Sequence, residues 1–196
     1  MNTTNPLHPI ADLIRKGLGR ACTSLAFFLK EEVELEALDF SHCRNENNFP
    51  ANPIDKEIVL YSEIMGELKG KSFFELNLEE ANLLFAKNFP VTQGKEPNKA
   101  IFDGFLLEID NIITASVVTE FANKLGVKAY GGVPRILYTE DASQSELKNL
   151  ESAESYFIKF SCRYKMKNME FSPVFLWLMT QEIETLSARE ESTAKV

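Results

Sequence analysis

Residues 103–126 read DGFLLEIDNIITASVVTEFANKLG, and the run that follows carries Gly131-Gly132-Val133-Pro134. Within the first stretch Leu106, Ile109, Ile113, Val117 and Phe121 recur at steps of three, four, four and four. That spacing places them on one side of an α-helix, as a core stripe. The periodicity predicts a helix from about Asp103 to Leu125, with Asp103 as N-cap, Gly104 as first helical residue and Gly126 at the C′ position. On the opposite side fall Glu108, Asn111, Ala115, Thr119 and Ala122. Glu108 and Asn111, three residues apart, are neighbours on that face. Most exposed Glu and Asn side chains on helices are merely solvated. Asn, however, is a mediocre helix former, and the small residues beside it leave room for a partner's backbone.

The same order of elements precedes this helix. Ile10, Leu13, Ile14, Leu18, Ala21, Leu25 and Phe28 predict a first long helix over 10–29. Residues 33–40 alternate as a strand, with a slip near Glu36-Ala37, and the Asn- and Pro-rich run 44–54 reads as a loop. Two strands, 57–65 and 69–76, form a hairpin. A short helix begins at Asn77, which caps it in a box with Glu80, and buries Leu78, Ala81, Leu84 and Phe85. After the second long helix come a strand over 127–138 broken by its glycines and Pro134, a Ser-rich loop over 140–154, strands over 155–166 and 170–179, and a short helix from Gln181. The pattern is a duplication, with half-repeats over 8–89 and 102–187 in a single domain spanning 6–187 and a frayed tail over 188–196. Two such halves sharing one mostly antiparallel sheet, covered by the two long helices, make an α+β fold.

Composition narrows the function. The 196 residues carry 21 Lys+Arg against 29 Asp+Glu, a formal charge of −8. This acidic balance argues against a nucleic-acid partner, which requires a basic face. Fifteen Phe supply ample core volume. No apolar run approaches the roughly 18 residues of a membrane span, and the first residues lack the basic-then-apolar order of a signal peptide. Cys22, Cys43 and Cys162 are odd in number and scattered, which makes neither a disulfide framework nor a zinc site, so a cytoplasmic, reducing setting is the simplest reading. With only His8 and His42, histidine-based metal sites and Ser-His-Asp triads are poorly supplied.

The spacing E-x-x-N is uninformative alone. It occurs at Glu79/Asn82, Glu108/Asn111, Glu120/Asn123 and Glu146/Asn149. Only Asn111 is followed, after 22 intervening residues, by a proline, Pro134. E-x-x-N on a long helix, then 22 residues and a proline, resembles the signature of the CheC/CheX/FliY phosphatases, which act on the phosphorylated chemotaxis response regulator CheY. The segment Leu107–Thr114 resembles that family's helix core, and the duplicated pattern extends the likeness over nearly the whole chain.

The resemblance implies an aspartyl-phosphate phosphatase with Glu108 and Asn111 as its catalytic pair. Asn111 would orient water, Glu108 would anchor the receiver through a lysine, and Pro134 would shape the strand. The implied partner is a phosphorylated CheY-like receiver domain that brings its own Mg²⁺, so no cofactor of the chain's own is expected. CheD is a second partner the family suggests, and the likeness leaves monomer and homodimer open. Two departures stand out. The family's Asp or Ser four residues before the Glu is Gly104 here. The matching first helix offers Asp12/Arg15 or Ile14/Gly17 and no Glu-Asn pair, which implies a single site, in the second half. The alternative is a non-catalytic receiver- or CheD-binding adaptor; the same fold serves as a binding module in FliM, where the pair is missing.

Overall fold

The computed structural model describes residues 9–44, 56–89, 98–138 and 156–180. The expected loops over 44–54 and 140–154, the Gln181 helix and the tail lie wholly or almost wholly outside them. The chain runs α1 (Pro9–Leu29), β1 (Glu34–Arg44), β2 (Ile58–Gly66), β3 (Gly70–Leu76), α2 (Leu78–Asn88), α3 (Lys99–Leu125), β4 (Ala129–Gly131), β5 (Arg135–Tyr138), β6 (Tyr156–Met166), β7 (Met169–Phe171) and β8 (Val174–Met179). All eight strands among the described residues join one antiparallel sheet. The fold is α+β, with helices packed on a single shared sheet.

The sheet order is β1-β6-β8-β3-β2-β4, with β5 continuing β4 along β2 and β7 folding back on β6. It has the same plan read from either edge. The hairpin β2–β3 of the first half meets β6–β8 of the second at the centre, through β3 and β8. The first strand of each half is then donated to the other half's hairpin: β1 pairs with β6, and β4 and β5 pair with β2. The slip expected near Glu36-Ala37 is present as a register shift between Leu35 and Ala37.

Alternation along the strands turns one row toward the helices. Ile58, Leu60 and Ile64 of β2, Phe74 and Leu76 of β3, and Phe175 and Trp177 of β8 join the main core with Leu18 and Leu25 of α1 and Ile113, Val117 and Phe121 of α3. The opposite row (Val59, Phe73, Leu176 and Leu178) forms a second apolar cluster. The two long helices run antiparallel. Phe28 near the end of α1 stacks on Phe105 near the start of α3, with ring centres 5.5 Å apart. Midway, Gly17 approaches Val117 so closely that a Cβ there would lie 2.5 Å from the valine Cα. Arg20 and Glu120 bridge the pair at 2.6 Å.

Three local expectations are corrected. Asn77 caps α2, accepting from the amides of Glu79 and Glu80, but no box closes: Glu80 instead accepts from the Ser172 amide at 3.2 Å and faces Lys56. Leu78 stays exposed while Ala81, Leu84 and Phe85 are buried, Phe85 meeting Phe102 and Phe105 edge-on. The strand expected over 170–179 is two, β7 and β8, because Pro173 has no amide to give to the ladder; its carbonyl accepts from Cys162 at 3.2 Å.

Candidate functional site on the outer face of α3

α3 begins earlier than its apolar stripe suggests. Asn98, not Asp103, is the N-cap, its side chain accepting from the Ala100 amide at 2.9 Å. The onset moves because Phe102 and Phe105 must be helical to reach Phe85. Asp103 and Gly104 are therefore interior helical residues. At the other end Gly126 closes the helix in the left-handed region, φ 66°, as expected.

Residues one helical turn apart then align. Gly104, Glu108, Asn111, Ala115 and Thr119 are all exposed along one line. Among the described residues no hydrogen bond or ion pair engages Glu108 or Asn111. Thr119 turns its hydroxyl back to the Ala115 carbonyl at 2.7 Å, so the surface beside Asn111 is low and smooth. At Gly104 an added Cβ would meet nothing within 4 Å. Between Gly104 and Thr119 this line thus presents one carboxylate and one carboxamide, neither engaged, amid small residues.

The other three E-x-x-N pairs differ. Glu79 and Asn82 are exposed on the short α2, Glu120 is paired with Arg20, and Glu146/Asn149 lie outside the described residues. On α1, matching the helices at their last residues, Leu29 and Leu125, sets Asp12 against Glu108 and Arg15 against Asn111. Asp12 and Arg15 are exposed; Ile14 and Gly17 face the core.

Pro134 sits where the edge of the sheet breaks. β4 and β5 both pair with β2, and Gly132, between them, donates its amide to Glu63 O at 2.7 Å. Gly131 passes the side of α3 at Thr114, 3.9 Å from an added Cβ to its methyl. Val133 is left exposed, as are Arg135 and Lys128.

Behind the exposed line lies a polar group that sequence reasoning missed. Asp110, between Glu108 and Asn111, is fully buried. Its carboxylate accepts from Ser62 Oγ of β2 at 3.2 Å and from Thr114 Oγ1 at 2.9 Å, and Thr114 Oγ1 lies 3.4 Å from Ser72 Oγ of β3. Burial pushes the Asp110 carboxyl up to about 6, against the lowering pull of the two hydroxyls. Its position on the helix wheel, close to Val117, was the signal available in the sequence. Among the described residues no three His, Cys, Asp or Glu side chains cluster to hold a metal ion, and no helix is long and apolar enough to cross a membrane.

No protein-family model matches the sequence, and no curated protein matches it. Solved structures do. Thermotoga maritima FliY superposes with a TM-score of 0.66 at 13% identity, over 96% of each chain. The fold is that of the CheC-like chemotaxis proteins. CheX from Borrelia burgdorferi, solved with CheY, BeF3 and Mg²⁺, gives 0.55 at 16% identity, over 85% of this chain and 97% of that one. The middle domain of FliM from Vibrio alginolyticus, also similar, gives 0.57 at 14% identity, over 91% of this chain and 99% of that one. The CheC-like fold therefore spans nearly all of this chain.

Proposed function

We propose that this chain is a CheC/CheX-type chemotaxis phosphatase that hydrolyses the aspartyl phosphate of a CheY-like receiver domain. The observation that carries the reading is the exposed, unengaged Glu108–Asn111 pair on the long helix of a CheC-like fold. An aspartyl phosphate is a mixed anhydride and already reactive, so a catalyst need only hold water in line with the leaving carboxylate. A carboxamide suits that role, since it both donates and accepts without adding charge beside the phosphoryl group. Water attacks phosphorus, the bond to the aspartyl oxygen breaks, and inorganic phosphate departs. Glu108 would repel the phosphoryl group directly; its role here is to pair with a receiver lysine and dock the helix. Mg²⁺ belongs to the receiver in this mechanism. The pair lies in the second half alone, giving one site per chain.

The second reading is a receiver- or CheD-binding adaptor without turnover. It is favoured by Gly104, which leaves the line above Glu108 without an acid, and by the likeness to the FliM middle domain. The two separate in one experiment, in which a phosphorylated receiver is followed with and without this protein. Faster decay of the phosphoryl group is the expected result. Binding with unchanged decay replaces the phosphatase by the adaptor.

A further inference from the structure

Asp110 is an expensive residue to place where it is. A buried carboxylate without a counter-charge loses its hydration, and only its two hydroxyl partners compensate. Among the described residues, few titratable or charged groups face it. Toward α3, β2 presents Ile58, Leu60, Ser62 and Ile64, β3 presents Ser72, Phe74 and Leu76, β4 presents Ala129 and Gly131, and β5 presents Ile136. Tyr61, Glu63, Lys71 and Glu75 alternate onto the opposite face. Among the described residues, Arg20 of α1 is paired with Glu120 of α3, Asp12, Arg15 and Lys16 of α1 are exposed, and Lys87 of α2 is paired with Glu31. Cys22, Cys162 and Tyr164 lie toward β6, separated from β2 by β8 and β3.

The proton count orders the network. An ionised Asp110 only accepts, so Ser62 and Thr114 both donate to it. Thr114 then has no second proton for Ser72, and Ser72 must donate to Thr114. The chain Ser72→Thr114→Asp110←Ser62 ties α3 to β2 and β3 at one rotation about its axis. Directional hydrogen bonds in a dry site add an angular constraint to the apolar packing around them. Asn111 follows Asp110 directly and lies one turn before Thr114, so the tether flanks it; Glu108, on the same exposed line, turns with it, but its longer side chain can follow a docking partner, whereas an amide that must hold water in line cannot.

We infer that Asp110 is a positioning residue whose pinned carboxylate sets the rotation of α3 and so aims the Asn111 amide. The inference rests on the phosphatase reading above. Protonation of Asp110 turns one of its oxygens into a donor, so the hydroxyl facing it must reverse, accept from it and turn its own proton elsewhere. Asp110→Asn imposes the same reversal of donor and acceptor at every pH with nearly unchanged volume.

The test uses the full chain and an isolated CheY-type receiver phosphorylated with acetyl phosphate. Turnover is measured for wild type and Asp110→Asn between about pH 5 and pH 8, together with the emission of Trp177, the one tryptophan. Trp177 is the cross-strand neighbour of Ser72 and lies 5.9 Å from the Phe121 ring of α3. A misaimed amide is expected to lower kcat about tenfold near pH 7.5, with KM within about twofold. The ratio of the two kcat values, which cancels the receiver's own pH dependence, should fall toward one at the acid end. Wild-type Trp177 emission should titrate near pH 6, and that titration should vanish in Asp110→Asn. Equal kcat throughout, a ratio that does not change with pH, or an effect confined to KM would each overturn the inference. If Asp110→Asn does not fold, Thr114→Val decides: it removes one hydroxyl from the carboxylate, so the Trp177 midpoint should rise and kcat fall, and an unmoved midpoint overturns the inference. Wild type without turnover at any pH sinks both readings, whereas turnover indifferent to residue 110 sinks this one alone.

Discussion

Asn111 and Glu108 share a helix face but should fail in different ways when removed. Asn111→Ala deletes the amide proposed to orient water, and no charge. Turnover is expected to fall roughly 10²–10³-fold, as for the loss of one positioned hydrogen-bond donor, with receiver affinity little changed. Glu108→Ala should weaken docking by about 2 kcal/mol or more if its lysine partner becomes buried, and so raise KM as well as lower kcat. Steady-state dephosphorylation with a binding titration separates the two, and equal effects in both variants would refute the division of roles. Gly104 adds a third test: a side chain there meets open space, so Gly104→Asp should fold and raise turnover if an acid on this line assists docking. Asp110 makes a separate, thermodynamic prediction. Its folded-state pKa, about 6, lies above the ordinary 3.8, so the folded chain binds the extra proton and stability falls as pH rises between those values. The contribution lost is of order 3 kcal/mol. Urea unfolding at pH 4 and pH 7 should show Asp110→Asn gaining on wild type by about that amount. The exposed pair was legible because a helical wheel separates it from the stripe of Ile109, Ile113 and Val117. Asp110 was not, since its partners Ser62 and Ser72 come from strands far away in the chain and a carboxylate reads as surface.

Two glycines of α1 put helix packing to a direct test. Gly19 is exposed, with nothing within 4 Å of an added Cβ, while at Gly17 that atom would strike the Val117 backbone. Gly19→Ala should therefore gain about 0.5–1 kcal/mol of helix propensity. Gly17→Ala gains the same but must push α1 from α3, and overpacking of that kind costs about 1–3 kcal/mol. The pair should show opposite shifts of Tm, about 2–4 °C per kcal/mol in a chain of this size; two shifts of the same sign would mean that the crossing is looser than drawn. Element types were readable from period and turn residues from α1 to the hairpin β2–β3. Element ends were readable only where one residue decides, as Gly126 does. The start of α3 escaped because Asn98 and Asp103 are equally good caps, and what selects Asn98 is aromatic packing between Phe85 and Phe102.

The two halves are joined more intimately than a tandem repeat requires. The order helix, strand, hairpin, repeated, was enough to read an α+β duplication on one sheet. The exchange of β1 for β4 and β5 was not readable, because local alternation says which face a residue takes and nothing about its cross-strand partner. The exchange has a measurable result. A first half alone would hold the hairpin β2–β3 without β5 beside it and β1 without β6; a second half alone would lack the mirror partners. Chains divided between residues 93 and 94 should each show little cooperative unfolding by circular dichroism, and should recover it when mixed. A half that melts cooperatively alone would contradict the exchange.

The same exchange bears on synthesis. Glu34 pairs with Lys165, and Arg44 with Tyr156. On a ribosome, β1 emerges early and waits with both edges unpaired until nearly the last strand has been made. Closing so distant a pair is entropically slow, and an open strand edge in the interval invites pairing with another nascent chain. The part of this molecule most exposed to misassembly is therefore its oldest strand, far from the helix face where its chemistry is proposed.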